Sequence, residues 1–248
     1  MREAAPPESL GRRSVGDRKR RVRCYFDRVA GRYDLANTVM SLGLHHLWKR
    51  LAVRWLSLQT GDRVADICGG TGDLAVLAAP RVGGAGRVFI YDFSREMLNR
   101  GRTKAGRTAT PRVVRLVQGD AQRLAFRSAG LDAAIVGFGI RNLTDLEGGF
   151  REIHRVLKPG GRFVCLEFSQ PPRAWFRRLY DLYSYAVMPL VGRLLAGCRE
   201  AYTYLPDSIR AFPLPDVLAE CLVAAGFRQV TYRRLTGGIA VIHRGVKP

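Results

Sequence analysis

Three carboxylates and a cluster of glycines carry the most readable chemistry in this chain. Residues 66–73 read DICGGTGD, an acidic residue followed by Gly69, Gly70 and Gly72 around Thr71. Glycines let a backbone turn tightly and approach a ligand with no Cβ in the way. Residues 70–75 fit the GxGxxG/A pattern of dinucleotide loops, but Asp66 argues against that ligand. A pyrophosphate prefers bare amides at a helix start, and a carboxylate there would repel it. A ligand with a cationic amino-acid portion would be attracted, and S-adenosylmethionine, with its ammonium and sulfonium groups, is one. Asp92 follows about 20 residues after the loop, where a carboxylate can accept both ribose hydroxyls, a role it would share with a dinucleotide enzyme. Asp120, followed by Ala121, falls at a third strand end, in reach of an adenine amino group. The third carboxylate decides for the methyl donor, and the site expected from these residues is Asp66, Gly70, Gly72, Asp92, Asp120 and Ala121.

Positioning these residues requires strands that end together. Short apolar runs at residues 63–67, 87–92, 113–121, 131–140 and 162–168 alternate with helical stretches at 71–80, 94–106 and 147–157. Ser94 stands where it can cap the second helix, and residues 158–161 (KPGG) close the third. Strands buried on both faces and joined by helices predict an α/β fold with a doubly wound, mostly parallel, seven-stranded sheet. Residues 229–235 and 239–245, split by a Thr-Gly-Gly turn, predict a C-terminal antiparallel hairpin. Ligands of such sheets bind beyond the carboxyl ends of the strands, where strand order reverses, and DICGGTGD lies there.

Two segments stand outside this rhythm. Residues 25–56 are helical in their later half, and residues 173–212 are aromatic and irregular. The expected organisation is a basic arm (1–23), disordered on its composition, and one domain (24–248) carrying an N-terminal helical cap (24–60) and a substrate-cap insertion (173–212).

The chain of 248 residues has a net charge of +20, from 36 Arg and only 5 Lys against 21 acidic residues. That charge suits nucleic acid or an anionic membrane surface, although so strong an arginine skew also fits coding bias. No recognisable RNA-binding module accompanies it, so nucleic acid is disfavoured. No apolar run approaches a membrane span and no secretory signal is visible, which predicts a cytoplasmic protein. Five scattered cysteines without metal-like spacing predict reduced thiols and no metal.

The chain also resembles a known family, the C-methyltransferases of ubiquinone and menaquinone biosynthesis. The likeness runs from about residue 25 to 245, in FDRVAGRYDLAN (26–37), MSLGLHHLWKR (40–50), GGTGDLA (69–75), FGIRNLTD (138–145), LKPGGRFVCLEFSQP (157–171), AYTYLPDSI (201–209) and LTGGIAVIHRG (235–245). FGIRN and LTGGIAVIHRG are specific; GGTGD and LKPGG are common in methyltransferases of this fold. The resemblance implies a Rossmann-like class I methyltransferase with a helical cap, using S-adenosylmethionine to methylate a ring carbon of a reduced polyprenyl quinone, benzoquinol or naphthoquinol. It implies donor contacts at Thr71, Asp92, Asp120 and Ala121, and adds Gly137, where many members carry serine; His46 and Gln170 are further departures.

Catalytic candidates are Arg141, holding a water or stabilising a quinolate, and Asn142, orienting the ring or the water. Glu167 could face the same cleft, and His45 and His243 occupy family positions. In residues 173–212, aromatics beside Arg173, Arg177 and Arg178 suit an isoprenoid tail and anionic headgroups, so the partners expected are a lipophilic quinol and, peripherally, the inner membrane face. Arg-rich helical surface in the cap could serve a second copy. The rival readings are a tailoring or RNA-directed methyltransferase and, from another class, a nicotinamide oxidoreductase.

Overall fold

The computed structural model describes residues 15–108, 110–196 and 199–248. Three helices lead, α1 (Val15–Val29), α2 (Tyr33–Met40) and α3 (Leu44–Trp55). Then come β1 (Arg63–Ile67), α4 (Asp73–Val82), β2 (Arg87–Asp92), α5 (Arg95–Gly106), β3 (Val114–Gln118), β4 (Leu131–Gly137), α6 (Leu146–Val156) and β5 (Leu157–Phe168). Helices α7 (Ala174–Leu182), α8 (Met188–Ala196) and α9 (Arg199–Arg210) follow, and α10 (Pro215–Ala224), β6 (Arg228–Leu235) and β7 (Ala240–Val246) close the chain.

The seven strands form one sheet in the order β3-β2-β1-β4-β5-β7-β6. Pairings are parallel from β3 through β5, while β7 runs antiparallel to both β5 and β6. Side chains alternate across a strand, and each face is buried: Val64, Ile90, Ile135 and Val164 pack under α3, α4 and α5, whereas Ile67, Tyr91, Val136 and Phe163 pack under α6 and α10. Helix ends follow local rules. The Ser94 hydroxyl accepts from Met97 N–H (3.1 Å) and the Asp145 carboxylate from Gly148 N–H (2.8 Å). Strand order reverses between β1 and β4, so the loop after β1 sits at the switch point.

Four local expectations need correction. The N-terminal stretch is helical throughout, not only in its later half. Helix α1 begins at Val15, inside the segment expected to be a disordered arm; residues 1–14 of that arm lie outside the described residues. Residues 173–212 are not irregular: α7 passes through a π-helical turn (Tyr183–Val187) into α8 and α9. Its aromatics recur at helical rather than strand spacing and meet α1 and α2 in a separate apolar cluster containing Val29, Met40, Tyr180 and Tyr202. Finally, KPGG is strand rather than turn, because Gly160 N–H and Lys158–Gly161 pair with the chain's end: Gly160 N–H donates to Lys247 O and Lys247 N–H to Gly161 O, both at 2.9 Å.

Candidate active site

The loop after β1 takes a left-handed path, with Cys68 at φ +53°, Gly70 at +54° and Gly72 at +78°. A side chain on Gly72 would collide with Ile90 of β2, so this glycine packs the loop on the sheet. Nothing lies within 4 Å of a Cβ built on Gly70, so that side of the loop is open.

Beside the loop is a cleft of about 1070 Å³, mouth included, lined by Asp66, Gly70, Thr71, Asp92, Asp120, Ala121 and Gly137. Seven of the eight expected donor residues thus converge, and Gly72 stands behind them. Asp120 lies two residues past the end of β3 rather than on it; it is exposed, and its Oδ1 accepts from Gln122 N–H at 3.0 Å.

The two other carboxylates differ in how they are held. Asp92 accepts from Gly70 N–H through Oδ2 (2.9 Å) and from Ser94 N–H through Oδ1 (2.8 Å). Burial nonetheless pushes its pKa up to about 6. Asp66 is buried and accepts from Ala75 N–H through Oδ2 (3.0 Å), while Oδ1 has no partner among the described residues. Burial pushes its pKa up to about 7. An unpaired, buried carboxylate oxygen on a residue of the cleft wall is costly unless a donor arrives, and an ammonium is a donor that would relieve it. S-adenosylmethionine therefore fits the residues present.

Gly137 has a steric explanation. A Cβ there would lie 2.6 Å from Leu74 Cδ1, so Leu74 fills the space that a serine would need.

A second cavity of about 1550 Å³ adjoins the first, and Val22, Phe26, Tyr33, Lys49 and Phe138 line both. Its wall is mostly aromatic and aliphatic, drawn from α1, α2, α3, α7 and α9. Of the two catalytic candidates, Arg141 lines this cavity and Asn142 the donor cleft. Arg141 is not a bare charge: Nη1 pairs with Glu167 Oε1 at 2.7 Å and donates to Phe138 O, Nε donates to Ser208 Oγ at 3.3 Å, and the guanidinium lies over the Phe168 ring. Glu167 is wholly buried; burial raises its pKa and Arg141 pulls it back. Glu167 thus faces Arg141 rather than open cleft. Asn142 Oδ1 accepts from Tyr204 Oη at 3.1 Å, linking the loop after β4 to α9.

The sequence offers Asp34, with Asp27 and Tyr33, as a cap residue able to close over the donor; it does not show the charged clasp that Asp34 joins over the glycine loop. Thr71 Oγ1 donates to Asp34 Oδ1 (2.7 Å) and accepts from Lys104 Nζ (3.0 Å). Lys104 Nζ also meets Asp34 Oδ2 and Asp73 Oδ1, each at 2.5 Å, and Lys49 Nζ meets Asp73 Oδ2 at 2.6 Å. Burial alone would raise the Asp73 carboxyl, but Lys49 and Lys104 hold it well below the carboxylate range. The two aspartates were visible in FDRVAGRYDLAN and GGTGDLA; what they bind comes from α3 and α5 and leaves no local signal. His243, the other histidine considered, bonds Pro215 O through Nε2 (2.9 Å) and lines neither cavity. Among the described residues there is no group of three metal-ligating side chains.

The fold recurs in solved structures. A SAM-dependent methyltransferase from Thermotoga maritima superposes with a TM-score of 0.64 at 20% identity, over 92% of this chain and 100% of that one. A SAM dependent methyltransferase from Aquifex aeolicus gives 0.57 at 17%, over 77% and 85%. The architecture is that of the Rossmann-like methyltransferases. The ubiE/COQ5 methyltransferase family model matches residues 14–247. The ubiquinone/menaquinone biosynthesis C-methyltransferase UbiE of Pseudomonas fluorescens (strain SBW25) is 42% identical over 99% of this chain and 97% of its own, and that of Azotobacter vinelandii 43% over 98% and 93%. The chain belongs to the ubiE/COQ5 methyltransferase family, and the nicotinamide reading falls away.

Proposed function

We propose that the protein transfers a methyl group from S-adenosylmethionine to a ring carbon of a reduced polyprenyl quinone precursor, a demethylmenaquinol, a ubiquinone-pathway benzoquinol, or both. One observation carries the reading: a cleft with an unpaired buried carboxylate oxygen opens beside a wide apolar cavity. The first suits a cationic donor and the second an isoprenoid-bearing ring.

When bound, the donor supplies an electrophilic methyl group. Asp66 would hold its ammonium, Asp92 its ribose, and Asp120 with Ala121 its adenine. The acceptor must be reduced, since a quinol oxygen can push electron density onto the neighbouring carbon and a quinone oxygen cannot. Ionising a phenol of pKa ~10 at neutral pH costs about 4 kcal/mol, so the site has to ease the loss of that proton. Arg141 cannot act as a base. Paired with Glu167, it offers a fixed dipole and a firm wall under the ring rather than a full positive charge, and Asn142 orients what lies between the two cavities.

The lipid substrate reaches the enzyme at a membrane face. Exposed Leu35, Val39 and Leu42 form a stripe at the end of α2, and Trp175, Leu179 and Leu182 form one along α7. Leu42 and Leu179 also line the apolar cavity, so the stripes flank its mouth. Arg173, Arg177 and Arg178 are exposed, and none makes an ion pair among the described residues. Apolar side chains for the acyl region and arginines for anionic headgroups suit peripheral attachment. No helix among the described residues is long and apolar enough to cross a membrane.

The test is transfer of labelled methyl from S-adenosylmethionine to demethylmenaquinol and to a demethylated ubiquinol precursor, side by side under reducing conditions. Label in at least one quinol, and none when the ring is kept oxidised, is the expected result. No label in either, despite donor binding, would overturn the reading.

A further inference from the structure

The wall of the apolar cavity contains one histidine, His45, at the start of α3 and only 3% exposed. Its surroundings fix its tautomer. The Thr38 hydroxyl lies 2.8 Å from Asp34 O and donates there, which spends its only proton. The same oxygen lies 3.1 Å from His45 Nε2 and 3.2 Å from His46 Nε2, and with its proton on Asp34 O it acts as acceptor, which assigns the hydrogen of His45 to Nε2. Nδ1 is left with a bare lone pair, is buried, and has no partner among the described residues. Burial first, then the neighbouring Lys49 ammonium, lowers the pKa of this ring to about 4, against the smaller pull of Asp73 and Asp34, so the ring is neutral. Buried polar atoms without partners are uncommon. Phenols in the same wall can donate or accept, whereas His45 Nδ1 can only accept.

We propose that His45 Nδ1 receives the hydrogen bond of a ring hydroxyl of the quinol acceptor, orienting the oxygen whose electrons move into the ring. This rests on the function proposed above and adds to it the residue that tells the reduced ring from the oxidised one. A quinol presents an O–H to this lone pair; the quinone presents only carbonyl oxygens, which meet Nδ1 lone pair to lone pair. No proton leaves the hydroxyl in the resting complex, and no further reactant is needed.

Two substitutions separate this role from a structural one. Asn places an amide oxygen near the position of Nδ1, and Gln places an amide nitrogen near Nε2, where it can still reach Thr38. Binding to the full chain is followed by quenching of Trp48, which lines the same cavity. The probes are short-chain prenyl hydroquinones of both ring types and their dimethyl ethers, which have the same rings without O–H donors. Wild type and His45→Asn are expected to prefer the hydroquinone by about tenfold, the worth of one buried hydrogen bond. His45→Gln is expected to lose that preference, with an unchanged unfolding temperature and unchanged affinity for S-adenosylhomocysteine. Equal binding of hydroquinone and ether by wild type, or loss of the preference in neither or both variants, would overturn the role of His45 while leaving quinol methylation standing. Wild type that binds neither probe and methylates neither quinol would overturn both.

Discussion

The two cavities meet across a few shared side chains but are built in opposite ways. In the donor cleft the functional atoms lie at or near strand ends and are fixed by backbone amides of the adjoining loops, as Asp92 is by Gly70 of the loop after β1 and by Ser94 two residues on. In the acceptor cavity the wall comes from α1, α2, α3, α7 and α9, with apolar contact doing the holding and few polar atoms pointing inward. The difference teaches that recognition of a small polar donor is a local property of a strand and its loop, whereas room for a lipid-like acceptor is a property of distant helices that happen to meet. The Arg141–Glu167 pair is tied to that seam through Phe138, which lines both cavities and whose carbonyl accepts from Arg141.

The seam gives the largest effect. Glu167→Ala leaves Arg141 charged and buried, and should cost about 3–5 kcal/mol of stability in denaturant unfolding; Glu167→Gln should cost less. If instead Glu167→Ala unfolded like wild type and changed only turnover, the pair would belong to the chemistry and not to the framework.

Within the donor cleft, Asp66→Asn keeps an acceptor for Ala75 and removes the charge. Donor affinity should fall on the order of 10- to 100-fold by calorimetry, with the unfolding curve little changed. The same residue sets a pH dependence. Asp66 and Asp92 titrate higher in the fold (about 7 and about 6) than in an unfolded chain. Their contribution to the empty protein's stability is thus present in full below about pH 4 and is lost as pH rises through 6 and 7. Donor binding runs the other way, since the ammonium needs the ionised carboxylate: affinity should climb between about pH 6 and 8 in wild type and stay flat in Asp66→Asn.

A smaller effect probes packing beneath the cleft. Gly137→Ser should cost about 1–3 kcal/mol by overpacking against Leu74, and Leu74→Ala in the same chain should recover part of it. An unstrained Gly137→Ser would mean that the loop after β4 yields more easily than its contacts imply. The smallest effect lies at the acceptor's mouth. Trp175→Ser with Leu182→Ser should weaken sedimentation with anionic vesicles several-fold, since each removes an apolar side chain from the lipid, while methylation of a short-chain quinol in detergent stays near normal. Binding indifferent to these changes and to salt would place the membrane contact elsewhere.

The same contrast explains what could be read from residues alone. Period-two and helical patterns, the glycines and the carboxylates all act over a few residues, so the sheet and the hairpin were legible, and the residues expected to hold a donor fall together on one cleft, Gly72 excepted. Gly119 carries no pattern that would mark the strand's end, so the reading to Asp120 and Ala121 overshoots; β3 stops at Gln118, two residues before Asp120. The helices of residues 173–212 were read as irregular because their aromatics also suit strands and Pro189 and Pro206 interrupt the run. The ion pair of Arg141 with Glu167 spans 26 positions and that of Lys104 with Asp34 spans 70. No spacing rule reaches that far, so Arg141 read as an available charge when it is a committed one.

The clasp of Asp34, Thr71, Lys104, Asp73 and Lys49 has a bearing on timing. It fastens α2 across the glycine loop, and its Lys104–Asp34 pair is partly exposed to water whereas Lys49 and Thr71 are buried. Coulombic fastenings loosen in salt while apolar ones tighten. Donor exchange should therefore quicken with ionic strength just as the lipid-facing helices grip harder, which gives turnover a salt optimum set by a latch on one side and a wall on the other.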